Sequence, residues 1–231
     1  MTEWNYTKSL MTSLPINIHS HWFGLTNYRV GLELQDQYAA MALQHAEAYL
    51  LGFEHEPVIS LGIRGSLEAD VNGNSKEIEH SILNKFLIQK SDRGGQATIH
   101  HPGQLVVYPI VSLKNIQFTV QQYVEFLMKV SQIFLAEYGI EACCRAEAPG
   151  LYTKNGKILS VGLRNLNGVI RHGIAINVNN NLSDFQYIRA CGVQNASMDQ
   201  MQAWGVQQTL PDLFSNWSRL FQEVFQARLK K

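Results

Sequence analysis

One stretch of this sequence combines glycines with side chains that could do chemistry. It reads Arg93-Gly94-Gly95-Gln96-Ala97-Thr98-Ile99-His100-His101-Pro102-Gly103-Gln104. Glycine tolerates positive φ and lets the main chain approach a ligand closely, so the run favours a loop that holds a ligand. It is neither a Walker loop, because no Gly-Lys-Ser/Thr closes it, nor G-x-G-x-x-G. A plain turn between two strands is the alternative.

Three downstream groups could act with this loop. They are Lys157 at the head of a strand-like run, the block Arg171-His172-Gly173-Ile174-Ala175-Ile176-Asn177, and Ala190-Cys191-Gly192. A cysteine beside glycine can expose a nucleophilic sulfur and offer main-chain N–H groups to an oxyanion. The alternatives are a small buried cysteine, a solvated lysine and a structural histidine.

Zinc is a further alternative for His100, His101, His172 and Cys191. Their spacing does not match a helical ligand pair such as H-E-x-x-H, so we expect no metal.

The composition limits the classes of protein to which the chain can belong. Its 231 residues are 45% hydrophobic and carry 19 basic and 19 acidic side chains. This balance gives no general attraction to nucleic acid or an acidic membrane. We find neither a signal peptide at the start nor an apolar run of transmembrane length, and three cysteines without C-x-x-C spacing favour a reducing compartment. We therefore expect a cytoplasmic protein.

Periodicity predicts the elements that would position these groups. A helix is predicted over 31–51 with Gly52 as its stop, and strands over 57–62 and 105–111. Asn72-Gly73-Asn74 marks a loop tip. An amphipathic helix is predicted over 120–138, and another over 210–229 with Thr209 as a cap.

Two Asn-Gly pairs divide the chain between these last helices into a meander. The predicted strands are 151–154, 157–166 and 169–178, joined at Asn155-Gly156 and Asn167-Gly168 by type I′ turns, which need positive φ at two positions. Helices mixed with hairpins indicate an α+β protein with one catalytic domain over 21–231. Residues 1–20 form an extension that is either partly disordered or a strand added to an edge.

Four blocks resemble the octanoyltransferases of lipoate biosynthesis, also called lipoyl(octanoyl) transferases or the lipoate-protein ligase B family. They are R-G-G-Q-A-T-x-H-x-P-G-Q-L-V-x-Y-P at 93–109, K-I-x-S-x-G-L-R at 157–164, H-G-x-A-x-N at 172–177 and C-G at 191–192. The blocks follow the family's order with matching gaps. The resemblance runs from about Phe23 to the last helix.

The resemblance implies a fold and an activity. The fold would be a mixed β-sheet with flanking helices, similar to the catalytic domain of biotin and lipoate protein ligases. The enzyme would move an octanoyl group from octanoyl-acyl carrier protein to a lysine of lipoyl domains. The acceptors would include 2-oxoacid dehydrogenase E2 subunits and the glycine cleavage H protein. No cofactor is implied.

The resemblance also implies residue roles. Cys191 would carry the acyl group as a thioester, and Lys157 would tune its reactivity. The acyl site would be lined by Arg93, Gly94, Gly95, Gln96, Ala97, Thr98, Ile99, His100, Ser160, Val161, Gly162, Gly173, Ile174 and Ala175. The chain departs from the family at His101, where glycine is usual, and at Ala190, where proline is usual. If the first position needs positive φ, a histidine there would be strained.

Three other functions remain open on the sequence. One is an ATP-dependent lipoate or biotin ligase, which would not depend on Cys191. Another is a cysteine hydrolase of acyl thioesters that uses Cys191 with His172 or His100. The third is a non-catalytic module that binds acyl or lipoyl carriers.

Overall fold

The computed structural model describes residues 16–71, 82, 84–145, 149–189 and 196–229. Cys191 and the predicted loop tip Asn72-Gly73-Asn74 lie outside these residues. Within them the fold is α+β, as predicted, with a large sheet, a small sheet and helices on both faces of the large sheet.

The large sheet has the strand order β1-β2-β6-β10-β9-β8-β7. The strands are β1 Ile18–Thr26, β2 Ala48–His55, β6 Gln104–Ser112, β7 Cys143–Cys144, β8 Gly150–Tyr152, β9 Lys157–Leu166 and β10 Val169–Asn177. β1 and β2 are parallel, and the other neighbours are antiparallel. β1 is an edge strand that crosses the predicted boundary at residue 20, and the domain division itself stays a prediction.

The small sheet places part of the glycine-rich run in a strand. Its order is β4-β3-β5, with β3 Val58–Leu61, β4 Leu87–Lys90 and β5 Ala97–His100. The predicted strand over 57–62 is confirmed as β3. β5 pairs antiparallel with β3, so the loop itself is confined to the residues before Ala97. A 3-10 helix at Leu182–Tyr187 packs against this sheet through Phe185.

Helices cover both faces of the large sheet. They are α1 Tyr28–His45, α2 Leu67–Asp70, α3 Leu113–Ile116, α4 Val120–Glu137 and α5 Leu210–Leu229, with a second 3-10 helix at Met201–Trp204. α4 and α5 pack together on one face, and α1 lies on the other. The predictions of α4 and α5 are confirmed. Thr119 and Gln122 cap α4 reciprocally, and the Thr209 hydroxyl accepts the Asp212 N–H at the start of α5.

The predicted helix over 31–51 is wrong at its C-terminal end. α1 stops at His45, and Ala46 takes φ 54°. Residues 48–55 instead form β2, in which Leu50 and Leu51 are fully buried. Pairing with strands on both sides satisfies the backbone of β2, and this tertiary pairing makes the short apolar run before Gly52 a strand. Gly52 is thus a strand residue packed against Phe214, and not a helix stop.

The two Asn-Gly pairs form different turns. Asn167 and Gly168 have φ 52° and 86°, as the predicted type I′ turn between β9 and β10 requires. The prediction for Asn155-Gly156 is wrong, because only the glycine has positive φ there. The register pairs Tyr152 with Lys157, which leaves a four-residue connection instead of a two-residue turn.

Trp217 on α5 anchors the contact with α4, and its removal is expected to be costly. The side chain is fully buried, and Nε1 donates to Ser131 Oγ at 3.2 Å. We expect Trp217→Ala to lower the free energy of unfolding by about 3–5 kcal/mol, since it opens a large cavity. Urea unfolding measures this. Leu43→Ala, at a residue that is 56% exposed, is the control and should change stability by about 0.5 kcal/mol or less. A loss below about 1 kcal/mol for Trp217→Ala would contradict the assignment.

Candidate active site

A cavity lies between the face of the large sheet that α1 covers and the small sheet. We call it the central cavity. Its empty space, including the open mouth, is about 510 Å³. It is lined by Tyr28, Arg93, Gly94, Gly95, Gln96, Ala97, Thr98, His100, Val106, Tyr108, Ser160, Val161, Gly162, His172, Gly173, Ile174 and Ala175.

The structure brings nearly all predicted acyl-site residues to this cavity. Ile99 is the exception, since it is fully buried in the core of the small sheet. Side chains alternate between the two faces of a strand, so Ile99 points away from its neighbours Thr98 and His100. Lys157 does not line the central cavity either, although it lies close by.

A second groove, also open to solvent, borders the central cavity. Its empty space is about 960 Å³ including the solvent at its mouth. Both spaces are lined by Gly94–Gln96 and by Val161 and Gly162, so the glycine loop separates them. Arg64, Val120, Val124, Pro149 and Leu163 complete the groove.

Close packing explains the glycines of this loop. Gly94 N donates to the Leu163 carbonyl at 2.9 Å, which ties the loop to β9. A Cβ on Gly94 would lie 3.0 Å from Leu163 O, and one on Gly162 would lie 3.0 Å from Gly94 O. The two segments can therefore be this close only while both positions lack a side chain.

Arg93 organises the loop with its guanidinium. Its Nε donates to Ser60 Oγ at 2.7 Å, and Nη2 donates to the Ser60 and Gln96 carbonyls at 2.6 and 2.7 Å. Nη1 donates to the Gly94 carbonyl at 3.1 Å. The rigid fork of donors thereby joins β3 to both ends of the loop, which makes Arg93 a framework residue of the cavity wall.

Two buried histidines are uncharged at neutral pH. His55 contacts the Thr26 carbonyl and the Tyr108 hydroxyl, each at 2.9 Å, and burial lowers its pKa to about 4. Burial also holds the pKa of His100 well below its usual value. Tyr28 stacks on the His100 ring with centroids 5.6 Å apart. This side of the cavity is therefore polar but carries no titrating charge near neutral pH.

His172 is held in an unusual backbone conformation. Its φ is 58°, a left-handed value that is rare for a residue within a strand. Its main-chain N–H donates to Gln35 Oε1 at 2.6 Å, and Nε2 donates to Asp92 Oδ1 at 2.8 Å. Burial lowers the pKa of His172, and the hydrogen bond from His172 lowers that of Asp92, so a neutral imidazole donates to a carboxylate. These hydrogen bonds agree with the alternative that His172 is a structural histidine.

Lys157 is buried beside β8. This burial excludes the alternative that it is a solvated turn residue. Its side chain is 3% exposed, and Nζ lies 5.5 Å from the Tyr152 ring. Cε and Nζ lie 2.6 and 3.3 Å from the place where a Cβ of Gly150 would be. Gly150 pairs with Ser160, a residue of the cavity wall. The amine is thus directed toward the Ser160 end of the central cavity.

Cys191 and Ala190 lie outside the described residues, but the chain on both sides of them is well anchored. Before them, Arg189 N donates to the Asp70 carbonyl at 2.7 Å, and the Asp70 carboxylate accepts from Gln96 Nε2 at 3.3 Å. After them, Lys157 N donates to the Ser197 carbonyl at 2.9 Å. Arg189 is therefore linked through Asp70 to the glycine loop, and Ser197 lies beside Lys157.

His101 is unstrained and tied to the main chain. Among the described residues, the non-glycine positions with positive φ are Ala46, Gln117, Asn167 and His172, so His101 is not one of them. The ring is 7% exposed, and Nε2 lies 3.1 Å from the Asn181 carbonyl and 3.7 Å from Asp184 Oδ2. It bridges to neighbouring main chain outside the central cavity, as predicted, whereas His100 lines the cavity.

This geometry predicts separable effects for the two neighbours. We expect His101→Gly to lower the free energy of unfolding by about 1–3 kcal/mol, because a buried ring and its hydrogen bond are lost. Its octanoyl-transfer rate should stay within a few-fold of wild type, whereas His100→Ala should weaken formation of the acyl-enzyme. Thermal unfolding and single-turnover acylation measure the two effects. A folded His101→Gly enzyme without activity would contradict this placement.

Sequence reasoning missed several residues of the site. Tyr28 and Tyr108 line the cavity, and Asp92 orients His172. Tyr108 lies within the first motif block and Asp92 directly precedes it. Their position in or beside this block could therefore have indicated that they belong to the site. Tyr28 carries no such signal, because its place depends on how α1 packs.

Two classes of feature are absent from the described part of the chain. None of its helices combines the length and apolar character needed to cross a membrane. No three His, Cys, Asp or Glu side chains in it converge as metal ligands would.

Solved structures share this fold. The structure of lipoate-protein ligase A bound with ATP superposes with a TM-score of 0.74 at 13% identity, covering 92% of this chain and 86% of that one. The biotin protein ligase from Aquifex aeolicus gives a TM-score of 0.51 at 11% identity, covering 92% and 71%. At such identities the likeness shows the fold alone.

Sequence comparisons show the family. Residues 27–217 match the family model described as lipoyl protein ligase A/B catalytic domain. The octanoyltransferase of Shewanella frigidimarina is 32% identical over 207 residues, covering 90% of this chain and 91% of the relative. That of Neisseria meningitidis serogroup C is 37% identical over 179 residues, covering 77% and 81%. The chain therefore belongs to the lipoyl protein ligase A/B catalytic-domain family and, within it, to the octanoyltransferases, acyltransferases of lipoate biosynthesis.

Proposed function

We propose that this enzyme transfers an octanoyl group from octanoyl-acyl carrier protein to a lysine of lipoyl domains through a thioester on Cys191. The observation that carries the proposal is the match between the predicted acyl site and the central cavity. Predicted residues from three separate segments of the chain line one space, with Lys157 directed toward one end of it.

The anchors around Cys191 support its role as the nucleophile. Before it, Arg189 bonds to Asp70, which contacts Gln96 of the glycine loop, and after it Ser197 accepts a hydrogen bond from Lys157 N. The described residues on either side of Cys191 are thus tied to the wall of the cavity and to the main chain of Lys157. An ammonium group near a thiol favours the thiolate, which is the reactive form.

The character of the central cavity supports an acyl ligand. Val106, Val161, Ile174 and Ala175 give it an apolar wall, and its histidines are uncharged. Each methylene of an acyl chain contributes roughly 0.8 kcal/mol on burial. Acyl chains of neighbouring length differ by only ~1–3 kcal/mol in their free energy of binding to an apolar cavity. We therefore expect the enzyme to tolerate related acyl groups.

Two adjoining spaces suit a reaction in two steps. The donor is already a thioester, so exchange onto a cysteine needs no adenylation and is close to balanced in free energy. The carrier protein leaves before the lipoyl domain arrives, and amide formation makes the second step favourable. The open groove beside the glycine loop gives protein-borne arms a route to the acyl carbon.

A direct transfer assay tests the proposal. Purified enzyme is mixed with octanoyl-acyl carrier protein and a lipoyl domain, without ATP, and the domain is analysed by intact mass. We expect one octanoyl group on its lysine. The lipoyl domain of an E2 subunit and the glycine cleavage H protein would be compared as acceptors.

Each alternative gives a different result in this assay. A requirement for ATP and free octanoate would indicate a ligase, which the shared fold makes the strongest alternative. Release of free octanoate from the carrier without transfer would indicate a hydrolase. Binding of either protein without chemistry would indicate a carrier-binding module, and any of these results would overturn the proposal.

A further inference from the structure

A chain of buried amides leads from the main chain around Lys157 to His100. Its first member is Asn177, which is 3% exposed. Asn177 Nδ2 donates to the Asp199 carbonyl at 3.1 Å and approaches the Lys157 carbonyl at 3.5 Å. A main-chain carbonyl can only accept a hydrogen bond, so these contacts fix which end of the Asn177 amide is nitrogen.

The second member, Gln104, is oriented in the same way. Gln104 Nε2 donates to Asn177 Oδ1 at 3.0 Å and to the Ile99 carbonyl at 3.3 Å. Asn180 Nδ2 also donates to Asn177 Oδ1, at 3.2 Å. Gln104 is 2% exposed, so no water competes at these atoms. Its Oε1 must then face the remaining neighbour, which is His100.

The amides thereby determine the tautomer of His100. His100 Nδ1 lies 2.7 Å from Gln104 Oε1. Because that oxygen can only accept, Nδ1 must carry the proton and, in the neutral ring, Nε2 must carry a lone pair. No protein group among the described residues hydrogen-bonds Nε2. The ring lines the central cavity.

His100 lies at the end of the cavity to which Lys157 is directed. Asn177 is the register partner of Gln104 and follows Ala175, which pairs with Ser160. His172 precedes Ala175 by three residues in β10 and lies on its other side from Asn177, roughly 10 Å away at about 3.3 Å per residue. Of the two cavity histidines, His100 is therefore the one at the Lys157 end.

We propose that Gln104 and Asn177 are positioning residues that present His100 Nε2 as the hydrogen-bond acceptor for the attacking lysine amine of the acceptor protein. The inference rests on the proposed function, which requires an amine at the acyl carbon. A neutral lysine amine that donates one N–H to Nε2 is held in place with its own lone pair free for attack.

The proton balance of the step is complete with this acceptor. The amine nitrogen bonds to the acyl carbon, and the carbon–sulfur bond breaks to release a thiolate. The proton that the nitrogen loses passes to His100 Nε2 and from there to the thiolate. The products are an amide and a thiol, and no co-reactant is needed.

The tautomer can be tested without any catalysis. In NMR spectra of enzyme with nitrogen-labelled histidine, the signals that disappear in His100→Asn identify His100. We expect a neutral ring protonated at Nδ1 across the neutral pH range. A ring protonated at Nε2, or a charged ring, would overturn the proposal even if octanoyl transfer is established. This result also stands if transfer fails.

Gln104→Glu tests the orienting role, because it keeps the acceptor oxygen while adding a charge. A carboxylate at Nδ1–H favours the imidazolium, so the pKa of His100 should rise. The groups that face His100 are otherwise unchanged: His55, Tyr28, Arg93 and His172. Nε2 then becomes protonated as the pH falls through the raised pKa, so the acid limb of the transfer step should move to higher pH. Gln226→Glu, on the exposed side of α5, is the control and should leave the profile unchanged.

Gln104→Met separates positioning from folding. We expect attack by the lipoyl domain on pre-formed acyl-enzyme to slow roughly 10–100-fold, by analogy with the loss of a partner that orients a metal-binding histidine. Acylation by octanoyl-acyl carrier protein should change less than two-fold, because this variant, unlike His100→Ala, keeps the His100 ring in the wall of the acyl site. Equal slowing of both half-reactions, or an unshifted profile in Gln104→Glu, would show a structural role and refute the assignment.

Discussion

Cys191→Ala is expected to abolish octanoyl transfer and to remove the acyl adduct from the enzyme. After wild-type enzyme is mixed with octanoyl-acyl carrier protein, intact mass should show one added octanoyl group. The variant should show none, because alanine has no atom that can form the thioester. We expect a loss of transfer larger than for any other substitution considered, since the covalent route is removed entirely.

The other two cysteines provide a matched control. Cys143 and Cys144 form β7 at an edge of the large sheet, and both are free and exposed. Exposed thiols can be acylated without being catalytic, so Cys143→Ser and Cys144→Ser are needed. Both should keep the adduct and the activity. A wild-type enzyme that transfers octanoate without ever carrying it would refute the covalent mechanism.

Lys157→Met is expected to slow transfer by ~10²-fold or more, the scale of general acid–base contributions. The amine is buried and directed toward the Ser160 end of the cavity. Its removal takes away the positive charge that favours the thiolate and the group that supplies a proton to the leaving thiol of the carrier protein. Alkylation of Cys191 by iodoacetamide should therefore require a higher pH in the variant, because the pKa of the thiol rises when a nearby cation is lost.

Lys154→Met is the control for this substitution. Lys154 lies three residues earlier, and its Nζ lies 5.5 Å from the Trp204 ring, as Lys157 Nζ does from Tyr152. Both variants exchange a lysine beside an aromatic ring for methionine. Lys154→Met should keep the rate and the alkylation profile, and circular dichroism should show both variants folded. Equal profiles for Lys157→Met and wild type would assign Lys157 a structural role.

Sequence patterns predicted most of the helices and strands correctly, because these elements depend on residues that are close together in the chain. The apolar stripes of α4 and α5 and the turn at Asn167-Gly168 depend on residues a few positions apart. The boundary of α1 could not be found in this way. β2 begins as a short apolar run that fits a helix or a strand, and only pairing with β1 and β6 shows that it is a strand.

The residues that line the site also fall into two groups: those that the sequence indicates and those that only the packing of the chain reveals. The motif blocks indicated the residues that meet at the central cavity, apart from Ile99, whose direction depends on the pairing of β5 with β3. The blocks gave no indication of Tyr28, because it reaches the cavity through the packing of α1. They also left open whether His101 is strained, which its backbone and its contact with the Asn181 carbonyl resolve.

By itself, the sequence determined the class of the fold, the order of the motif blocks and the chemical groups available. Which of those groups act together was decided by tertiary structure alone. Gln104 and Asn177 are 73 residues apart, yet their hydrogen bond sets which nitrogen of His100 is protonated. Hydrogen bonds between buried amides have a direction, and that direction is imposed by main-chain carbonyls that only the folded sheet brings into contact.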